Sequence, residues 1–195
     1  MTSLDEQVIA LREECTKQGR DLIDFFSPKE ILEACSWKFH EKELGDPLAF
    51  SNGKKMLVAM YLGHEYVKDD KGVDGVDQNG YGCIYKTTTQ VEINAAYHGI
   101  SYKKTGWDDQ VKYLWNEKIA RWTHYFARFH EGQMVELWKM DGRVVFELLL
   151  PKVQDLYEIW VKGNRRIDNR CNVPMSRREI IQHGIKLALV NNLWR

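Results

Sequence analysis

Gly72-Val73-Asp74-Gly75-Val76-Asp77-Gln78-Asn79-Gly80-Tyr81-Gly82-Cys83-Ile84-Tyr85-Lys86-Thr87-Thr88-Thr89 is the stretch on which the reading of this chain turns. Asn79-Gly80 is a tight-turn signal between two apolar runs. The run from Cys83 to Thr88 is rich in β-formers. Two short strands around a turn are therefore predicted, with aspartates on the first and Lys86 on the second. A lysine on a central strand costs free energy unless its head reaches water or a partner. Aspartates across the turn would supply that partner. A divalent metal held by them beside the lysine would make a phosphodiester-cleaving site.

Working outward, residues 54–62 read as a helix closed by Gly63, with a short strand at 64–67 before the hairpin. Upstream, residues 4–18 and a piece after Ser27-Pro28 read as helices. Downstream, Asp108 is placed to cap a helix to about 121, with Val111, Leu114, Trp115, Ile119 and Trp122 as its buried stripe. Residues 122–129 and 134–140 read as strands. Asp141-Gly142 reads as a hairpin turn, 143–150 as its return strand and Pro151 as the start of a helix. Residues 163–175 read as a basic loop. Ser176-Arg177-Arg178-Glu179 has the form of a capping box opening a final helix that carries Ile180, Ile181, Ile185, Leu187 and Leu189. The sum is an α/β fold: a central mixed sheet of about five or six strands flanked by helices. At 195 residues the chain reads as one domain. It has a helical N-terminal part (1–50), a core with a hairpin (54–150), and a basic loop with a C-terminal helix (151–195).

Lys plus Arg and Asp plus Glu are both 28, so the formal charge is zero. That gives no support to a non-specific nucleic-acid coat protein. Much of the arginine lies in the last third, however, including Arg165, Arg166, Arg170, Arg177 and Arg178. Cys15, Cys35, Cys83 and Cys171 are far apart without a C-x-x-C pair, which argues against zinc and for reduced thiols of a cytoplasmic protein. No apolar run approaches membrane-spanning length and no signal-peptide core precedes the first helix. Nucleophile-elbow, P-loop and dinucleotide fingerprints are absent from the sequence.

Asp69 and Asp70 read as solvated turn residues, and their spacing with Asp74 and Asp77 fails the EF-hand pattern. Asp74 and Asp77 alternate with valines. Three residues apart on a strand, they point to opposite faces unless a bulge intervenes. Lys86 reads either as a guard of a strand edge or as part of a site with the aspartates. His64, His98, His124 and His130 show no metal-ligand spacing.

An aspartate on one strand, a short turn and a lysine on the next resembles the PD-(D/E)xK nuclease superfamily, which includes most type II restriction endonucleases. Asp74 matches the first aspartate and Lys86 the lysine, and Tyr85-Lys86-Thr87-Thr88 is similar to the lysine strand of several such enzymes. The position two before the lysine, where the family carries an acid, is Ile84. The resemblance spans residues 54–89. It implies a Mg²⁺-dependent, sequence-specific endonuclease of double-stranded DNA, leaving 5′-phosphate and 3′-hydroxyl, and acting as a homodimer on palindromic sites. Asp74 would anchor the metal, with a further carboxylate from Glu65, Asp77 or Glu92. Asp74, Asp77 and Lys86 would form the catalytic set. The DNA-contacting residues would then lie in two basic segments: Lys103 and Lys104 in one, and Asn164, Arg165, Arg166, Arg170 and Arg177 in the other. Taken singly, each of these also fits an ordinary solvated loop. The alternative left open by Ile84 is an inactive nucleic-acid-binding or assembly protein on the same scaffold.

Overall fold

The computed structural model describes residues 51–67, 72–98, 106–161 and 172–189, with short helical pieces at 13–14, 17–18, 35–37 and 40–41. Two compact units divide the chain, Met1–Ala49 and Phe50–Arg195. In the first, the exposed side chain of Gln18 donates to Glu14 one helical turn earlier, at 2.7 Å. Most of the expected N-terminal helices, and Cys15, lie outside the described residues.

The second unit is a mixed sheet flanked by helices, an α/β fold. Helix α1 (Asn52–Leu62) leads through Gly63, in the left-handed region at φ 67°, into strand β1 (Glu65–Tyr66). Strands β2 (Gly75–Val76) and β3 (Gly82–Thr88) follow, then β4 (Ala95–Tyr97). Next come α2 (Trp107–Tyr113), a π turn (Leu114–Lys118), β5 (Thr123–His130) and β6 (Gln133–Asp141). Helix α3 (Gly142–Val161), β7 (Val173–Met175), α4 (Arg177–His183) and β8 (Ile185–Lys186) complete it. The main sheet has the order β1-β2-β3-β5-β6-β8, while β4 and β7 pair separately. All neighbours are antiparallel except β3 and β5, which run parallel with Ile84 opposite His124 and Lys86 opposite Phe126. The parallel pair needs a crossover, and α2 with its π turn supplies it.

Side-chain alternation sorts the sheet into two faces. Cys83, Tyr85, Tyr125, Ala127 and Leu137 pack with Val58 and Ala59 of α1. Phe126, Trp138 and Met140 pack on the other side with Val145, Phe146 and Leu149 of α3. Each fully buried side chain of the size of Phe126 or Leu137 contributes roughly 1.5–3 kcal/mol.

Three expectations are corrected. Residues 143–150 form no return strand: α3 runs unbroken over Gly142–Val161 with Pro151 inside it. Asp141 acts as a helix cap, its Oδ1 accepting from the Arg143 amide at 2.8 Å. Val145, Phe146, Leu149 and Val153 are buried at helical spacing, so packing of that stripe overrides the β-propensity of Val-Val-Phe. The hairpin turn lies ten residues earlier, at Glu131-Gly132, where φ is 48° and 79°. Positive φ at both positions makes the two-residue link whose twist suits paired strands. Second, the last helix stops at His183, and Ile185 and Lys186 form an edge strand on β6 instead. Third, the segment read as a basic loop includes β7, which pairs with β4; residues 162–171 lie outside the described residues. The capping box is present, with the Ser176 hydroxyl and the Glu179 carboxylate each bonded to the other residue's amide. Among the described residues no helix is long and apolar enough to cross a membrane.

Candidate active site around Asp74 and Lys86

Asp74 sits at the entry to β2, held on both sides by backbone bonds. Its amide donates to the Cys83 carbonyl at 2.8 Å, and its carbonyl accepts from Val67 at 3.1 Å. The side chain is buried, and both its oxygens are engaged. Oδ1 lies 2.6 Å from Lys55 Nζ of α1, and Oδ2 accepts from the Tyr85 amide of β3 at 2.7 Å. The carboxylate therefore ties α1 and β3 to the start of β2. Charge-assisted bonds of this kind are roughly twice as strong as neutral ones.

Lys86, on β3, is half-buried, with its ammonium 4.4 Å from the centroid of the Tyr97 ring on β4. The ring face favours a cation there. The Tyr97 hydroxyl lies 2.8 Å from His124 Nδ1, and His124 Nε2 lies 3.0 Å from the Ile119 carbonyl. A carbonyl only accepts, so Nε2 carries the proton and Nδ1 accepts from Tyr97. Burial lowers the His124 pKa to about 3; the Ile119 carbonyl opposes the shift and the Lys86 charge adds to it. Burial likewise pushes the Tyr97 hydroxyl well up, with Asp74's negative charge adding to it. Asp74 and Lys86 thus both act on one buried tyrosine. Ile84, where the family's acid would stand, is buried opposite His124.

The other predicted ligands stand apart. Asp77 shapes the turn: its Oδ1 accepts from the Asn79 and Tyr81 amides, both at 2.9 Å. The Tyr81 bond is the main reason its carboxyl lies below the usual range. Its charge is felt by His64, Tyr85 and Cys83, on the face away from Lys86. There His64 Nδ1 lies 2.9 Å from the Tyr85 hydroxyl, and burial of that histidine lowers its pKa against Asp77's pull. Glu65 is exposed on the edge strand β1, opposite Val76. Glu92 is also exposed and lines an open groove of about 570 Å³ with Ser176, Arg177 and Arg178. Among the described residues no three His, Cys, Asp or Glu side chains gather closely enough to hold a metal ion. Arg177 is exposed at the start of α4. Its charge helps, after the hydrogen bonds from Trp138 and Arg128, to hold the Glu136 carboxyl low against the upward push of burial. Lys103, Lys104, Asn164, Arg165, Arg166 and Arg170, like Asp69 and Asp70, lie outside the described residues.

Sequence reasoning passed over Lys55 and Tyr97, and weighed His124 only as a metal ligand. Lys55 has no signal of its own, being one of two adjacent lysines at a helix start, and Tyr97 lies in a stretch without readable periodicity. Compared with protein-family models and with curated proteins, the chain matches none.

The donor set bears on the implied metal. Mg²⁺ is commonly bound through one or two carboxylates, with waters and substrate phosphates completing its shell. Asp74 is one such carboxylate, and its Oδ1 already faces a cation, the Lys55 ammonium. Asp74 is the one carboxylate that these residues would offer to Mg²⁺, and substrate phosphate and water would have to supply the rest of its shell.

Proposed function

We propose that the chain is a Mg²⁺-dependent endonuclease of double-stranded DNA, cytoplasmic and working as a homodimer. The observation that carries this reading is a buried aspartate at the entry to β2 and a half-buried lysine on β3 that both act on the same buried tyrosine. Asp74 would hold the metal, which when bound supplies Lewis acidity and an acidified water. Lys86 carries the charge that meets the scissile phosphate, and an ammonium there stabilises the charge developing on its oxygens. Unlike arginine, lysine can also give up a proton. The Tyr97 ring holds the Lys86 head within the site, and the Tyr97–His124–Ile119 chain of hydrogen bonds holds Tyr97 in turn. Water oxygen bonds to phosphorus as it gives up a proton to solvent, the bond from phosphorus to the 3′ oxygen breaks, and that oxygen takes a proton from solvent.

Digestion of mixed plasmid and phage DNA with the purified chain, in Mg²⁺ and in EDTA, tests this. Discrete fragments in Mg²⁺ alone, abolished by Lys86→Met, are expected. Intact DNA in both buffers refutes hydrolysis.

A second reading has its own support. Ile84 is apolar and buried, and both oxygens of Asp74 already have partners. That suits a metal-free scaffold that binds DNA without cutting it. Mg²⁺-independent DNA binding by a chain that leaves DNA intact would favour it.

A further inference from the structure

The π turn, the start of α3 and the segment joining α2 to β5 border an open hollow of about 320 Å³, lined by Trp115, Asn116, Ala120, Arg121 and Arg143. Three features make it a built site. The Ile119 amide donates five residues back to the Leu114 carbonyl at 2.8 Å, and this π turn swings Trp115 out of the buried stripe that helical spacing assigns it. Trp115 is 41% exposed, its ring edge-on to Phe146 at 5.0 Å. Single π turns inside helices recur at functional sites. Next, a Cβ at Gly142 would lie 2.1 Å from the Trp122 carbonyl oxygen and 2.5 Å from that of Ile119. Only glycine lets α3 begin so close to that backbone, and this closeness brings Arg143 beside Arg121. Last, among the described residues neither guanidinium has a carboxylate within ion-pair distance. Asp141, the nearest acid in sequence to Arg143, has an oxygen engaged by the α3 amide it caps. Arg121 lies over the Trp122 ring, 4.6 Å from its centroid.

Two arginines converging without an anion repel each other, and a phosphate relieves that repulsion with bidentate bonds. An exposed indole beside them offers a face on which a base stacks. The Asn116 amide offers both a donor and an acceptor to a base edge. The volume suits one nucleotide and is far too small for a duplex. We infer that this hollow binds a single unpaired nucleotide of a nucleic-acid strand, its phosphate on Arg121 and Arg143 and its base on Trp115. The inference uses neither Asp74 nor Lys86, so it stands or falls separately from the proposed hydrolysis.

The test is fluorescence anisotropy of a labelled short oligothymidylate titrated with the full chain in EDTA, beside a blunt duplex of the same length. Arg121→Ala with Arg143→Ala should weaken single-strand binding about tenfold or more while leaving duplex binding unchanged. Trp115→Ala should lose a comparable factor, and Trp115→Phe should keep most of the affinity, because stacking needs only an aromatic face. Absence of single-strand binding by the wild type overturns the inference. So does a double arginine variant that binds like the wild type, or one that loses single strand and duplex equally. The arginines are exposed, and unchanged thermal melting will show that the variants fold.

Discussion

Lys55→Met isolates the interaction on which the candidate site depends. Asp74 is 7% exposed and has one partner on each oxygen, Lys55 Nζ at 2.6 Å and the Tyr85 amide at 2.7 Å. Methionine keeps the length of the lysine stem and removes the ammonium, leaving Oδ1 without its charge partner. Hydrogen bonds to charged groups are worth about 1.5–3 kcal/mol, and a buried acceptor left unmatched forfeits a similar amount. The Lys55 side chain is 21% exposed, so water can reach the vacated position and softens the loss. A destabilisation of about 2 kcal/mol follows. For a chain of this size that corresponds to a melting temperature lower by about 4–8 °C.

Urea unfolding followed by tryptophan fluorescence, in EDTA and in millimolar Mg²⁺, reads both halves of the argument. In EDTA the variant should lose about 2 kcal/mol against wild type. In Mg²⁺ the loss should shrink, because in the variant the cation no longer competes with an ammonium for Oδ1 and binding to the folded state adds stability. A loss in EDTA below about 0.5 kcal/mol, the usual scatter of surface substitutions, would refute the assigned weight of the ion pair. Equal losses in the two buffers would refute the claim that a cation can take Lys55's place at Asp74, and would favour the metal-free reading.

Two further outcomes are expected. Unfolded, His124 takes its proton near pH 6.5; folded, burial holds it neutral down to about pH 3. Protons therefore favour the unfolded chain as pH falls below 6.5. Up to about 1.4 kcal/mol of stability is lost per pH unit, or roughly 2 kcal/mol between about pH 6.5 and 4.5. His124→Gln, which keeps a donor and an acceptor, should show a shallower slope in urea unfolding over that window, and identical slopes would sink the assignment. Gly142→Ala should cost more than the roughly 1–3 kcal/mol of ordinary overpacking, since its Cβ meets three backbone oxygens within 2.9 Å. Gly132→Ala, at φ 79° but with nothing within 4 Å of the new Cβ, should cost only about 1 kcal/mol by thermal melting; equal costs would show that the crowding at Gly142 relaxes freely.

Local chemistry made the hairpin side of the fold readable. Gly63 and Gly80 need backbone conformations few other residues adopt, and Ser176 and Glu179 cap each other within one helical turn, so nothing distant is required to interpret them. The segment after Asp141 was not readable in this way. Asp-Gly serves equally as a hairpin turn or as a helix cap with its first residue, and Val144-Val145-Phe146 favours strand by propensity. The helix wins because Val145, Phe146, Leu149 and Val153 bury one stripe against the sheet, a fact about the partner surface. The short pair β4–β7 was hidden for the same reason, joining residues almost eighty apart along the chain. At the site, the placing of Asp74 and Lys86 on neighbouring elements was legible because a tight turn links β2 to β3. Lys55, Tyr97 and His124 were not, because they arrive from a helix, a second sheet and a parallel crossover.

The same alternation bears on the missing acid. Asp74 and Asp77, three residues apart, cannot both serve Lys86 without a bulge. Asp77 continues into the turn, where two amides hold one oxygen, and its charge falls on His64, Tyr85 and Cys83. Supplying a second carboxylate from there would mean breaking the turn that sets the register of β2 and β3, and with it the Tyr85 amide that steadies Asp74. A second ligand on the Lys86 side must come without that cost. On the strands themselves that side offers Ile84, His124 and Phe126, none of them a carboxylate, and Glu136 of β6, whose two oxygens accept from Trp138 and Arg128; His124 is held neutral by burial and engaged at both nitrogens. Substrate phosphate is then the ligand consistent with one carboxylate and one lysine. Under the proposed hydrolysis such a site would bind its metal only with DNA present, and that coupling would keep a weak metal site compatible with cleavage.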